Sequence, residues 1–131
     1  MDDPRIAALV VAARDAREHA YAPYSGFLVG AAALAGEQTF TGVNVENASS
    51  PMSVCAERNA VAAMVTGGQQ RLDAIAIVTD ADAPTPPCGA CRQVLWEFGT
   101  GSLVVAETLG GRRNAWALED LLPAPFERPD R

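Results

Sequence analysis

Apolar residues Ile6, Leu9, Val10 and Ala13 recur three and four positions apart, the spacing of one face of a helix. Pro4 suits a first helical turn, so a helix is predicted over residues 4–20, with Arg14, Asp15, Arg17 and Glu18 turned to water. Tyr21-Ala22-Pro23-Tyr24-Ser25-Gly26 breaks that helix as a loop. Residues 27–34 and 39–43 flank a turn at 35–38 and read as a β-hairpin, although Ala31-Ala32-Ala33 favours helix by propensity. The polar stretch 44–52 is turn-rich. Ser53 is placed to cap a helix over 54–65, which Gly67-Gly68 stops. Residues 74–78 form a short apolar run between polar neighbours, the pattern of a buried strand. Three prolines make 83–87 a loop. A helix follows over 88–98 and ends at Gly99; a strand is predicted at 103–106 and a short helix at 118–122, before a proline-rich tail. Strands alternating with helices after an initial hairpin imply one α/β layered domain spanning residues 1–131.

Composition narrows the function classes. With 131 residues, 49% hydrophobic and 20% charged, the chain can bury a core without disulfide staples. Ten Lys/Arg against sixteen Asp/Glu give a net charge of −6, and the basic residues form no block longer than Arg112-Arg113. Nucleic-acid surfaces depend on cationic contacts, so this balance argues against nucleic acid and for a neutral small molecule. Met1-Asp2-Asp3-Pro4 lacks the start of a signal peptide, and no apolar run reaches the length of a membrane span. The cysteines number three, an odd count with two in Cys-x-x-Cys, so a disulfide framework is not expected and a reducing cytoplasm is.

All three cysteines fall at predicted helix starts. Cys88 and Cys91 are three apart and share one helical face; Cys55 lies two residues before Glu57. Free N–H groups and partial positive charge at helix N-termini favour thiolate over thiol. Three thiolates and a zinc ion leave one tetrahedral vertex open and one net negative charge, which Arg58 is placed to offset by hydrogen-bonding the sulfurs. The rival readings are a small buried hydrophobe for a lone cysteine and a structural zinc knuckle or redox pair for Cys-x-x-Cys. A structural site normally needs four protein ligands. No fourth cysteine exists, and His19 stands alone among charged neighbours in the first helix.

At Cys55-Ala56-Glu57-Arg58 and Pro87-Cys88-Gly89-Ala90-Cys91-Arg92-Gln93 the chain resembles the cytidine deaminases of the small, homotetrameric, three-cysteine class. Tyr24-Ser25-Gly26-Phe27-Leu28-Val29-Gly30-Ala31-Ala32, Asn44-Val45-Glu46-Asn47-Ala48-Ser49 and Leu121-Leu122-Pro123 with Phe126 extend the likeness in family order. The resemblance implies a three-layer α/β/α fold with a five-stranded mixed sheet, one Zn2+ per chain on Cys55, Cys88 and Cys91, and hydrolysis of cytidine and 2′-deoxycytidine for pyrimidine salvage. In that chemistry zinc acidifies water, and Glu57 takes the proton, delivers it to ring N3 and later protonates the amine leaving C4.

The resemblance also assigns the rest of the site. Asn44 and Glu46 match positions that hydrogen-bond the ribose 3′-hydroxyl, Phe27 a ring packed against the nucleoside, and Ala56 a backbone contact to the base. Phe126 matches a tail aromatic that stacks on the base in a neighbouring subunit's site, so a homotetramer with shared sites is expected. Plain turn roles for Asn44 and Glu46, and core packing for the phenylalanines, are the competing readings. One departure stands out: Ser50 follows Asn47-Ala48-Ser49 where the family commonly has tyrosine. It favours the nearest alternative, a deaminase of a modified cytosine nucleoside such as blasticidin S. A non-catalytic zinc-stabilised interaction domain would have no need of Glu57, and an editing deaminase acting on RNA or DNA would need a basic face.

Overall fold

The computed structural model describes residues 3–130; Met1 and Asp2, where the leader reading begins, lie outside them. Helix α1 runs Pro4–Arg17, with the Asp3 carboxylate accepting from the Arg5 N–H at its start. Strands β1 (Gly30–Ala35) and β2 (Gln38–Val43) form the hairpin, α2 covers Ala56–Thr66 and β3 is Ala74–Thr79. Then come α3 (Gly89–Phe98), β4 (Leu103–Thr108), β5 (Arg113–Ala117) and the short α4 (Leu118–Leu121). The strand order is β2-β1-β3-β4-β5. Only β3 and β4 pair in parallel, so the five-stranded sheet is mixed.

Alternate residues of β1 divide between two cores, as the two-residue period of a strand demands. Ala31, Ala33 and Ala35 meet Val61, Met64, Ile75 and Leu95 on the α2/α3 face, while Ala32 and Leu34 meet Ile6, Leu9 and Val10 of α1 on the other. The molecule therefore has three layers, α/β/α. Helix propensity at Ala31-Ala32-Ala33 yields to tertiary context. This strand is buried on both faces, and methyl side chains let helices approach closely from each side.

Several sequence expectations need correction. The strand predicted from residue 27 begins at Gly30; before it, side chains of Ser25, Asn44 and Arg17 meet the peptide groups of 27–29, and the Val29 carbonyl takes the Asn44 backbone N–H. The helix cap is Cys55, not Ser53; the Ser53 hydroxyl accepts instead from the Asn47 N–H at 3.0 Å. The first helix ends at Arg17 and not near residue 20, and Arg17 is buried rather than turned to water. Arg14 is also drawn in, to Glu107 at 2.9 Å. Strand β5 was absent from the apolar pattern; its register comes from β4, with Val105 opposite Ala115.

Candidate active site

The N-termini of α2 and α3 meet at the carboxyl end of β3. Helix α2 precedes β3 through a short connection and runs back against the sheet, so its start lies where β3 ends; α3 begins ten residues beyond Thr79. Cys55 and Cys88 occupy the two N-cap positions with extended backbone, and neither helix has a side-chain cap. Cys91 sits one turn into α3 and is fully buried. The unpaired N–H groups and positive ends of both helices thus face one cluster of sulfurs.

The three sulfurs lie within 4.8 Å of one another, with Cys88 and Cys91 separated by 3.4 Å. Tetrahedral zinc with bonds of about 2.3 Å sets its sulfurs about 3.8 Å apart, so this cluster fits such an ion and leaves one vertex for a non-protein ligand. No other group of three such ligands is close enough among the described residues. The Cys55 thiol is pulled down to about 6, chiefly by the hydrogen bond from Cys91, then by Cys88 and the Arg58 charge, against a burial cost. Cys91 moves upward, because the Cys55 sulfur takes its hydrogen and burial disfavours its thiolate. The Arg58 charge helps to lower the Cys55 thiol.

Glu57, in the first turn of α2, is 6% exposed. Burial is the main force raising its carboxyl to about 7, with the Cys55 charge adding to it. It faces a cavity of about 290 Å³ that is also lined by Phe27, Asn44, Glu46, Cys55, Ala56 and Cys88. This volume lies near the lower end of small-ligand sites. A mostly apolar slot with one buried carboxylate, two thiols and an amide suits a flat heterocycle carrying a polar appendage.

These elements match a family model described as the cytidine and deoxycytidylate deaminase zinc-binding region over residues 4–107. The chain belongs to the cytidine deaminase family. A cytidine deaminase of Sporosarcina psychrophila is 44% identical over 124 residues, covering 93% of this chain and 91% of that protein. The crystal structure of cytidine deaminase from Burkholderia pseudomallei superposes with a TM-score of 0.88 at 44% identity, covering 92% of this chain and 98% of the other. Blasticidin-S deaminase of Bacillus cereus is more distant, 29% identical over 99 residues and covering 70% of each chain.

Within this cytidine deaminase family member, the loop residues are already engaged. Asn44 donates from Nδ2 to the Phe27 carbonyl at 2.8 Å and accepts through Oδ1 from the Val29 N–H at 2.9 Å. Glu46 accepts from the Tyr24 and Ser25 N–H groups and from the Ser25 hydroxyl, and these bonds, led by the hydroxyl, lower its carboxyl. The turn reading therefore describes what both residues do locally, while both still border the cavity. Phe126 does not border it. That ring is 69% exposed, and its backbone is clipped to Gln93 at 2.9 and 3.0 Å.

Further residues escaped the sequence reading. Ile77, Thr85 and Pro86 also line the cavity; the last two lie three and two residues before Cys88 in the proline-rich loop, a proximity that was available as a signal. Arg92 donates from Nε to the Pro87 carbonyl at 2.7 Å and from Nη1 to the Leu121 carbonyl at 2.9 Å. It thereby ties the approach to Cys88 to the end of α4. Nothing in its residue type announced that role.

Proposed function

We infer that this chain is a zinc-dependent deaminase that hydrolyses cytidine and 2′-deoxycytidine to uridine and 2′-deoxyuridine with release of ammonia. The observation that carries this reading is the convergence of Glu57, Cys55 and Cys88 on one cavity whose other walls are Phe27, Asn44 and Glu46. Cys55, Cys88 and Cys91 would hold the metal, which when bound supplies the Lewis acidity that brings the pKa of water toward neutrality.

The protein's own groups divide the remaining work. Phe27 packs against the nucleoside and sets the plane of the base. The N–H of Ala56, at the open start of α2, contacts the base beside Glu57. Glu57 accepts a proton from the attacking water and passes it to N3, as C4 becomes tetrahedral. It then carries the proton of the new hydroxyl to the exocyclic amine; the C–N bond breaks, ammonia leaves and a C4 carbonyl remains. Asn44 and Glu46, held by the 24–29 segment, present their remaining acceptor and donor capacity to the ribose 3′-hydroxyl.

Cytidine turnover places the enzyme in pyrimidine salvage, and a reducing cytoplasm suits its thiolates. The sheet and the helices on its two faces support one domain over residues 1–131. The exposed Phe126 supports a homotetramer in which each copy lends a ring to its neighbour's site. No helix among the described residues is long and apolar enough to cross a membrane. The deciding assay follows absorbance loss with cytidine, deoxycytidine and blasticidin S, alongside zinc per chain. Turnover of the first two with one zinc is the expected result; turnover of blasticidin S alone would transfer the assignment to the modified nucleoside.

A further inference from the structure

We propose that Arg17, which borders no part of the cavity, is a positioning residue that holds two adjacent segments of the nucleoside site, the one before β1 and the one after β3, in register. The proposal rests on the deaminase reading for its kinetic consequence. Its physical basis is the unusual placement of a guanidinium at the end of α1, with its side chain only 9% exposed. Burying such a group is costly unless its donors are used. Here Nε donates to the Leu28 carbonyl at 3.0 Å, and one terminal nitrogen lies 3.6 Å from the Asp80 carboxylate.

Those two partners belong to adjacent segments of the site, the one before β1 and the one after β3, since these strands are sheet neighbours with Gly30 opposite Val78. Leu28 lies between Phe27 and Val29, both of which face the cavity. This segment lies outside the strands, and its polar groups are held by the Ser25 hydroxyl at Phe27 N, by the Asn44 side chain at Phe27 O and Val29 N, by the Asn44 backbone N–H at Val29 O, and by Arg17 at Leu28 O. Asp80 follows β3, where the Thr79 hydroxyl pairs with Thr85 at 3.1 Å and receives the Ala81 N–H. Thr85 lines the cavity. A second ion pair, to the exposed Glu18 at 3.8 Å, adds little. Of the contacts to the walls, the Leu28 bond is the stronger, because a charged donor meets a carbonyl at short range, whereas Asp80 is half in water.

Arg17→Met keeps the apolar stem and removes every donor. Losing one charge-assisted bond predicts a cytidine KM about five- to tenfold higher, with kcat within about twofold and zinc per chain unchanged. Amide exchange should quicken in peptides covering 27–29 and 80–86 and stay unchanged in β4 and β5. Arg17→Lys, with a single flexible donor group, should fall between wild type and Arg17→Met. Arg14→Met is the control: it breaks an ion pair of the same helix to Glu107 and should leave KM unchanged. An unchanged KM in Arg17→Met, or exchange that quickens evenly across the sheet, would overturn the proposal. If the Met variant does not fold, Arg17→Lys is read in the same way, and wild-type KM and exchange there overturn it. If wild type does not turn over cytidine, the deaminase reading fails alone, while the exchange comparison still decides the role of Arg17.

Discussion

Glu57 is a carboxylate that the fold removes from water without an ion pair among the described residues. In a cavity lined with Phe27, Ile77 and thiols, that arrangement suits a group that exchanges protons with a substrate. Glu57→Gln keeps the shape and a hydrogen-bonding oxygen but cannot carry a proton. We expect kcat to fall by about 10²- to 10⁴-fold, the usual scale for lost acid–base catalysis, with zinc per chain unchanged. Near-wild-type turnover would dismiss the proton-shuttle role. Glu57 and the three cysteines were legible from sequence because the spacing of short-range motifs survives folding: both N-cap cysteines open helices that the local pattern already marks. Arg17 was not legible, because its helical position predicts solvent, and the Leu28 carbonyl and Asp80 that partner it are brought near only by the return of the chain.

Among the elements, α2 matters most because it carries both a thiol and the carboxylate. It is seated by a glycine on β2: a Cβ at Gly42 would stand 2.3 Å from the Ala60 nitrogen and 2.6 Å from the Ala56 carbonyl oxygen. Both obstacles are backbone, so neither can rotate away. Gly42→Ala should lower unfolding free energy by about 1–3 kcal/mol, the usual cost of overpacking, read as an earlier midpoint in urea. Because the displaced atoms belong to the first turns of α2, zinc per chain should fall as well. An unchanged midpoint would mean that α2 is not seated through this contact. The hairpin was readable because Gly36 (φ +63°) supplies a turn conformation that other residues resist. Strand β5 was not, since Arg113-Asn114-Ala115-Trp116-Ala117 lacks a clean alternation and lies at a sheet edge. What defines it is pairing with β4, a long-range fact invisible to a local pattern.

At the scale of the whole molecule, the tail is the part whose position a single copy leaves unexplained. Phe126 is clipped to the outer side of α3 by Gln93, yet its ring remains 69% exposed and lines no part of its own chain's cavity. A large ring held in place but uncovered is available to a neighbouring copy. The proposed sharing of sites between copies makes a prediction that simple truncation does not. Phe126→Ala alone should raise KM several-fold, but so would many local changes. Glu57→Gln chains retain the ring and lack the shuttle, whereas Phe126→Ala chains retain the shuttle and lack the ring. If the two are mixed under conditions that let subunits exchange, some sites will combine an intact Glu57 with a ring donated by a Glu57→Gln neighbour. With random exchange about a quarter of sites meet both requirements, each being met half the time. Activity of the mixture, measured at cytidine concentrations below KM, should therefore exceed the mean of the two parents and develop with the time course of exchange. A mixture that stays at that mean after exchange is complete would show that every site is built from one chain, and would remove Phe126 from the substrate cavity altogether.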